Sequence, residues 1–208
     1  QYVHNSLQLN QGPFLGNNDS IKHPVFSEIG YLSGIAQTDW SWTPLVTDFN
    51  NDGNRDIIIT NGYPKDVTDH DFMAYRNKAY TLVSKKDILD QIPQVKIHNY
   101  AFINNGDLTF SDVSAQWGLE EPSFSNGAAY ADLDNDGDVD ALIGGYDGSF
   151  HYFQTPAGVF VAQPGRANPF DGVTVDQRCA PAFADIDGDG DQDVFAGQFD
   201  GSANGYVY

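Results

Sequence analysis

The stretch DLDNDGDVD, residues 132–140, places five aspartates, one asparagine and one glycine within nine positions. Carboxylates this close repel one another, and one of a close pair ordinarily keeps its proton unless a cation compensates. Asp132, Asp134, Asp136 and Asp140 stand at positions 1, 3, 5 and 9, so alternate side chains can converge on one point. Asp138, at position 7, adds its backbone carbonyl, and Gly137 at position 6 permits the sharp turn. Ca2+ takes about six to eight oxygens at roughly 2.3–2.6 Å, whereas Mg2+ prefers to keep its waters. Calcium is the ion this spacing suits.

Surface turns also favour Asp, Asn and Gly without any metal, so recurrence has to decide. DFNNDGNRD at 48–56 and DIDGDGDQD at 185–193 follow the same rule: Asp or Asn at positions 1, 3 and 5, Gly at 6 and Asp at 9. The front of each loop matches an EF-hand, but position 12, where an EF-hand needs a bidentate Glu, holds Ile59, Ile143 and Ala196. Short apolar runs flank each loop, TPLVT and IIIT around the first, GAAYA and ALIGG around the second, APAFA and VFAGQ around the third. Such runs read as strands, so each acidic loop is expected at the tip of a β-hairpin.

Aligning the loops exposes a longer unit. A small apolar strand leads to the acidic turn, a second strand ends in Gly-aromatic (Gly62-Tyr63, Gly145-Tyr146, with Gln198-Phe199 in the third copy), and two further strands follow. In the second copy those are SFHYFQ at 149–154 and GVFVAQ at 158–163. Four strands per unit is a propeller blade. The expected fold is all-β: four-stranded antiparallel blades, with a helical insert, forming part of a propeller. Residues 1–38 read as outer strands of a preceding blade, 39–124 as a blade carrying the insert at about 64–97, 125–178 as a second full blade, and 179–208 as inner strands of a third. Propellers close with about four to eight blades, so other segments of a longer polypeptide or other subunits are expected to complete the ring. The start at Gln1, with neither Met nor signal peptide, reads as a mature or excised piece. Within the insert, apolar residues at Phe72, Met73, Ala79, Leu82, Val83, Ile88, Leu89 and Ile92 follow helical spacing over 69–92, with Asp69 or Asp71 as cap and Pro93 as stop.

The chain has 208 residues, 40% hydrophobic, and a net charge of −19. The three loops hold 13 of the 29 acidic residues, and three Ca2+ would bring the charge to −13. With only 10 Lys and Arg, and those in no patch, nucleic acid and anionic membrane surfaces are poor partners. No apolar run is long enough to cross a membrane. Cys179 is the only cysteine, so no internal disulfide forms, and its place beside APAFA reads as a small buried residue. Weak calcium loops fill where free calcium is plentiful, which points outside the cell.

SNGAAYADLDNDGDVD (125–140) and YAFINNGDLTFSDVSAQWGL (100–119) resemble FG-GAP/VCBS repeats, the calcium-bearing blades of integrin-α-like propellers and of bacterial secreted and surface proteins. The resemblance implies Ca2+ binding, about three ions, through positions 1, 3, 5, 7 and 9. These are Asp48, Asn50, Asp52, Asn54 and Asp56; Asp132, Asp134, Asp136, Asp138 and Asp140; and Asp185, Asp187, Asp189, Asp191 and Asp193. Asn50 and Asn54 lower the charge, and with it the expected affinity, of the first loop.

No Ser-His-Asp order, phosphate loop or HExxH motif is present, and the close carboxylates all belong to these loops, so no catalytic residues are expected. His4, His23, His70, His98 and His151 lack metal-ligand spacing, and Asp69, His70 and Asp71 read as a solvated helix start. The expected function is an extracellular, non-catalytic module for binding or adhesion to a protein or glycan at the cell surface, through the insert and inter-blade loops. The alternatives are a lectin-like propeller reading glycans through Trp40, Trp42 and Tyr63, or scaffold for a polysaccharide-degrading enzyme.

Overall fold

A computed structural model describes residues 4–15, 22–80, 82–156 and 160–197. The chain forms β1 (Gln8–Leu15), β2 (Lys22–Glu28), the single-turn α1 (Gly30–Ser33), β3 (Ser41–Thr47) and β4 (Asp56–Asn61). Then come α2 (His70–Ala79), α3 (Lys85–Asp90), β5 (Tyr100–Asn104), β6 (Phe110–Asp112), β7 (Ser125–Ala131), β8 (Asp140–Gly145), β9 (Phe150–Gln154), β10 (Val161–Gln163), β11 (Ala180–Ala184) and β12 (Asp193–Gly197). They build two four-stranded sheets, in the orders β3-β4-β5-β6 and β7-β8-β9-β10, and two hairpins, β1-β2 and β11-β12. Every pairing is antiparallel. β3 lies against β7, and β7 against β11, so the first strands of successive sheets adjoin as the inner strands of propeller blades do. Gln198-Phe199, the rest of 198–208 and the start of the strand expected at 158–163 lie outside the described residues.

The apolar runs are strands because both of their faces are covered. β4 and β8 are buried along their whole length. Ile58 turns into the core between the two full sheets, with Leu45, Phe49, Trp117, Ile143, Phe153 and Phe160. Ile57 and Ile59 turn the other way, onto Ile35, Phe102 and Leu7 beside the first hairpin. β8 repeats this, Ala141 and Ile143 facing the first sheet and Leu142 joining Tyr152, Phe150 and Cys179 against the last hairpin. A strand with period two and covers on both sides has no polar face, which is why IIIT and ALIGG show no alternation.

The connection between sheets is a structured element that reading by strands alone passes over. FSEIGYLSGI (26–35) and FSDVSAQWGL (110–119) fold alike. In the first, Ser33 N–H donates to Ile29 O at 2.8 Å and Ile35 N–H to Gly30 O at 3.2 Å; in the second, Trp117 donates to Val113 at 3.0 Å and Leu119 to Ser114 at 2.9 Å. Gly34 (φ 79°) and Gly118 (φ 70°) end the turns in the left-handed region. The shift from 26 to 110 equals that from 48 to 132, so linker and tip repeat together. The same shift corrects the Gly-aromatic alignment by one position. Gly62 N–H bonds Trp40 O and Tyr146 N–H bonds Phe124 O, so Gly62 corresponds to Tyr146, not to Gly145.

The insert also differs from a single helix over 69–92. Asp69 caps α2, accepting from Phe72 N–H at 2.7 Å. The helix stops at Ala79, and Ser84 starts a new one, accepting from Asp87 N–H at 3.2 Å while its hydroxyl bonds the Asp87 carboxylate at 2.7 Å. That N-cap lies in the middle of the periodic stretch and starts a second helix there. Phe72, Ala79 and Ile88 then bury against Val83 and Ile92 as a small core of their own.

Sheet spacing is set by residues that lack a side chain. A Cβ on Gly144 would collide with the carbonyl of Cys179, and one on Gly127 would lie 2.7 Å from Ala180 Cα. Gly144→Ala is therefore expected to lower stability by about 3 kcal/mol, read as the urea unfolding midpoint.

Candidate metal centres

The three acidic stretches are hairpin tips joining β3 to β4, β7 to β8 and β11 to β12. They share one backbone. Position 4 is left-handed in all three (Asn51 φ 58°, Asn135 φ 59°, Gly188 φ 79°), and so is position 6 (Gly53 φ 90°, Gly137 φ 92°, Gly190 φ 101°). Asn and Gly tolerate that region best, which is why they stand there. The position-1 carboxylate accepts the position-6 N–H: Asp48 from Gly53 at 2.8 Å, Asp132 from Gly137 at 3.0 Å, Asp185 from Gly190 at 3.1 Å. The position-5 carboxylate accepts the position-7 N–H: Asp52 from Asn54 at 2.7 Å, Asp136 from Asp138 at 2.9 Å, Asp189 from Asp191 at 3.0 Å.

Two tips bring carboxylates to a common point. Ligand oxygens of Asp132, Asp134 and Asp136 lie within 4.8 Å of one another, and so do those of Asp185, Asp187 and Asp193. The first loop, with Asn50 and Asn54 at positions 3 and 7, forms no such carboxylate triad among the described residues. Asp132 Oδ1 is buried and has no hydrogen-bond partner. A buried acceptor without a donor is costly in an unliganded protein, and it is what a cation-binding oxygen requires. The donor set is all oxygen, suited to a hard cation.

Position 9 does something the spacing alone does not reveal. Asp56 and Asp140 are fully buried, at 0% and 1% exposure. Asp56 accepts Phe49 N–H at 3.2 Å and Asn104 N–H, from the end of β5, at 3.0 Å. Asp140 accepts Leu133 N–H at 3.2 Å, Thr155 N–H at 3.1 Å and the Tyr152 hydroxyl at 2.9 Å. Each carboxylate ties its tip to the third strand of its sheet, and neither Asp56 nor Asp140 belongs to a carboxylate triad. Burial pushes both above the usual carboxylate range, against the lowering effect of these hydrogen bonds. The Tyr152 hydroxyl is held protonated by its own burial and by Asp140. Among the described residues Asp193 accepts the equivalent bond from Ile186 N–H, at 3.0 Å; it is exposed and belongs to the third-tip triad.

Two more roles escaped the pattern of aspartates. Position 2 is apolar in every loop, Phe49, Leu133 and Ile186, and that was the available signal. Phe49 is fully buried, edge-on to Trp117 and Phe160 at 5.9 and 5.6 Å, and Leu133 packs beside Leu142 in the next core. The tips are also linked to one another. The Asn51 amide donates to the Asp138 carboxylate, and the Asn135 amide to Asp191 at 2.9 Å, in each case from position 4 of one loop to position 7 of the next.

At the opposite end of the sheets, Trp40 and Tyr63 stack with ring centroids 4.5 Å apart, and Trp42 leans on Tyr63 at 6.0 Å. The aromatic residues picked from the sequence thus assemble into one cluster. Cys179 is fully buried, and burial pushes its thiol up to about 12, so it has no nucleophilic character at neutral pH.

Residues 132–196 match the family model described as FG-GAP-like repeat, from the first residue of the second tip through nearly all of β12. The chain carries an FG-GAP-like repeat. The matched segment holds two of the three tips, and the first tip has the same backbone and the same carboxylate-to-backbone bonds. Its four-stranded antiparallel sheets are blades of the propeller type. Among curated proteins no significant match is found.

The clamp and the triad separate by mutation. With chelator present, Asp140→Ala is expected to cost about 3 kcal/mol, because three donors lose their acceptor, whereas Asp136→Ala changes stability by less than about 0.5 kcal/mol. Urea denaturation of both variants in EDTA checks this.

Proposed function

We propose that this chain is a calcium-stabilised, non-catalytic propeller module that binds a protein or glycan partner outside the cell, with one Ca2+ at each of its three tips. The observation that carries the reading is the unpartnered, buried Asp132 Oδ1 at the head of a carboxylate triad, in a loop whose backbone recurs at all three tips. Oxygens from positions 1, 3 and 5 together with the position-7 backbone carbonyl suit Ca2+ better than Mg2+, and Asn50 in place of an aspartate makes the first loop the weakest. The role is structural first. Calcium sits where like charges crowd, so its binding removes a repulsion that would open the tips and loosen the inter-tip bonds from Asn51 and Asn135.

A module of this kind fills its loops where free calcium is plentiful, and that requirement favours a setting outside the cell. The described residues hold two full sheets and two hairpins, fewer blades than a closed ring contains, which favours completion by further blades of a longer polypeptide or of other subunits. The lectin-like form of the reading is favoured by one observation, the assembly of Trp40, Trp42 and Tyr63 on the face away from the tips.

For a site with Kd near ~0.1 mM in ~10 mM calcium, binding contributes about 2.7 kcal/mol. EDTA is therefore expected to lower the melting temperature by roughly 5 °C or more, with recovery on adding excess CaCl2 and little recovery with MgCl2. A thermal scan that ignores chelator overturns the calcium reading.

A further inference from the structure

The bonds between tips join the parts of each loop that a metal would order. In both, the donor is the position-4 amide of one loop and the acceptor is the position-7 carboxylate of the next: Asn51 to Asp138, and Asn135 to Asp191 at 2.9 Å. Position 4 lies between the side chains of positions 3 and 5, so an ion held by those side chains fixes the backbone that carries the amide. Position 7 offers its backbone carbonyl as a ligand, so a bond that holds its side chain restricts the residue supplying that oxygen. Each bond therefore spans two candidate sites.

The turn alone does not call for these amides. Position 4 is left-handed in all three tips, and the third tip meets that need with Gly188, φ 79°. The first and second tips carry asparagine instead, and each amide reaches the neighbouring loop. Gly188 has no side chain to pass on a further bond, so among the described residues the series ends at the third tip. The second tip is the best connected. It receives Asn51, sends out Asn135, and has one of its ligands, Asp134, held from the end of β9 by the Gln154 amide at 2.6 Å.

Repulsion between ions opposes coupling only weakly. The loops hold three, five and five aspartates, so one Ca2+ leaves the aspartates of every loop in excess, and physiological salt screens exposed charges beyond ~8 Å. We propose that Asn51 and Asn135 are positioning residues that couple calcium binding across the tips. Filling the second tip raises the affinity of the first and third, and by linkage each of these raises the affinity of the second. The proposal rests on the calcium reading and adds to it how occupancy is regulated: the ions bind over a narrower range of calcium concentration than three independent loops would allow.

The test is calorimetric titration of the calcium-stripped protein with CaCl2 at 0.15 M NaCl. Asp136→Ala removes a ligand from the second tip alone. It is expected to cut the stoichiometry from three ions to two and to weaken those two about fivefold, the scale of one hydrogen bond. In a background of Asn51→Gly with Asn135→Gly, the same substitution is expected to remove one ion and leave the affinity of the others unchanged. The glycine pair keeps the turn, as Gly188 does, so it is expected to melt with its parent in EDTA and earlier than its parent in calcium; a merely structural bond would lower both temperatures equally. Where the glycine pair melts early in EDTA, Asp138→Ala decides, because it keeps the position-7 carbonyl and removes the acceptor: on that background Asp136→Ala is expected to weaken one remaining ion instead of two. An equal effect of Asp136→Ala in every background, or no effect on the remaining ions in any, overturns the coupling, and three bound ions then leave the calcium reading standing. Absence of calcium binding in the parent protein sinks that reading, and the coupling with it.

Discussion

A buried carboxylate that bonds its own hairpin and the neighbouring strand is the constraint on which this fold turns. Asp56 and Asp140 each receive the position-2 N–H of the tip and an N–H from the end of the third strand. Without that acceptor, the tip has no fixed relation to the sheet, and the ligand oxygens at positions 1, 3 and 5 have no common centre. Burial disfavours the charged form of both groups. A divalent ion held at the tip would favour it, so the clamp and the proposed metal would support one another.

The tips also organise what lies between sheets. Position 2 lies between the aspartate or asparagine side chains of positions 1 and 3, so fixing the loop aims Phe49 and Leu133 into the cores between sheets. Phe49 reaches Trp117 and Phe160 in this way, and Trp117 itself sits in the turn that links one sheet to the next. Close approach then follows from glycine at Gly127 and Gly144, where backbone from the next hairpin takes the space of a side chain. Side-chain bonds from Asn51 and Asn135 carry the register from tip to tip. The result is a stack in which order at one tip supports order at its neighbour.

Such a stack divides labour between its two ends. One end concentrates acidic residues and serves cohesion. The other gathers aromatic rings and cations at a seam between sheets, where side chains from separate repeats meet and where variation does not disturb the acidic tips. A repeat protein can in this way keep one end invariant in chemistry while the other presents a binding surface.

Much of this architecture was legible in the residues themselves. Three nine-residue stretches with Asp, Asn and Gly at fixed places, each between apolar runs, identify hairpin tips, because the turn chemistry and strand composition are local properties of the chain. Four strands per unit and the insert between β4 and β5 follow from the same spacing. Other features belong to tertiary structure alone. Nothing local distinguishes Asp140 from Asp136, since one is buried under Thr155 and Tyr152 and the other exposed only because β9 lies beside one of them. The break in the insert is marked locally by Ser84 and Asp87, but the meeting of Phe72 and Ile88 in one small core is not. One cleft is lined by residues as far apart as Trp42 and Arg178, and their meeting is decided by sheet packing, a long-range effect that no stretch of sequence encodes by itself.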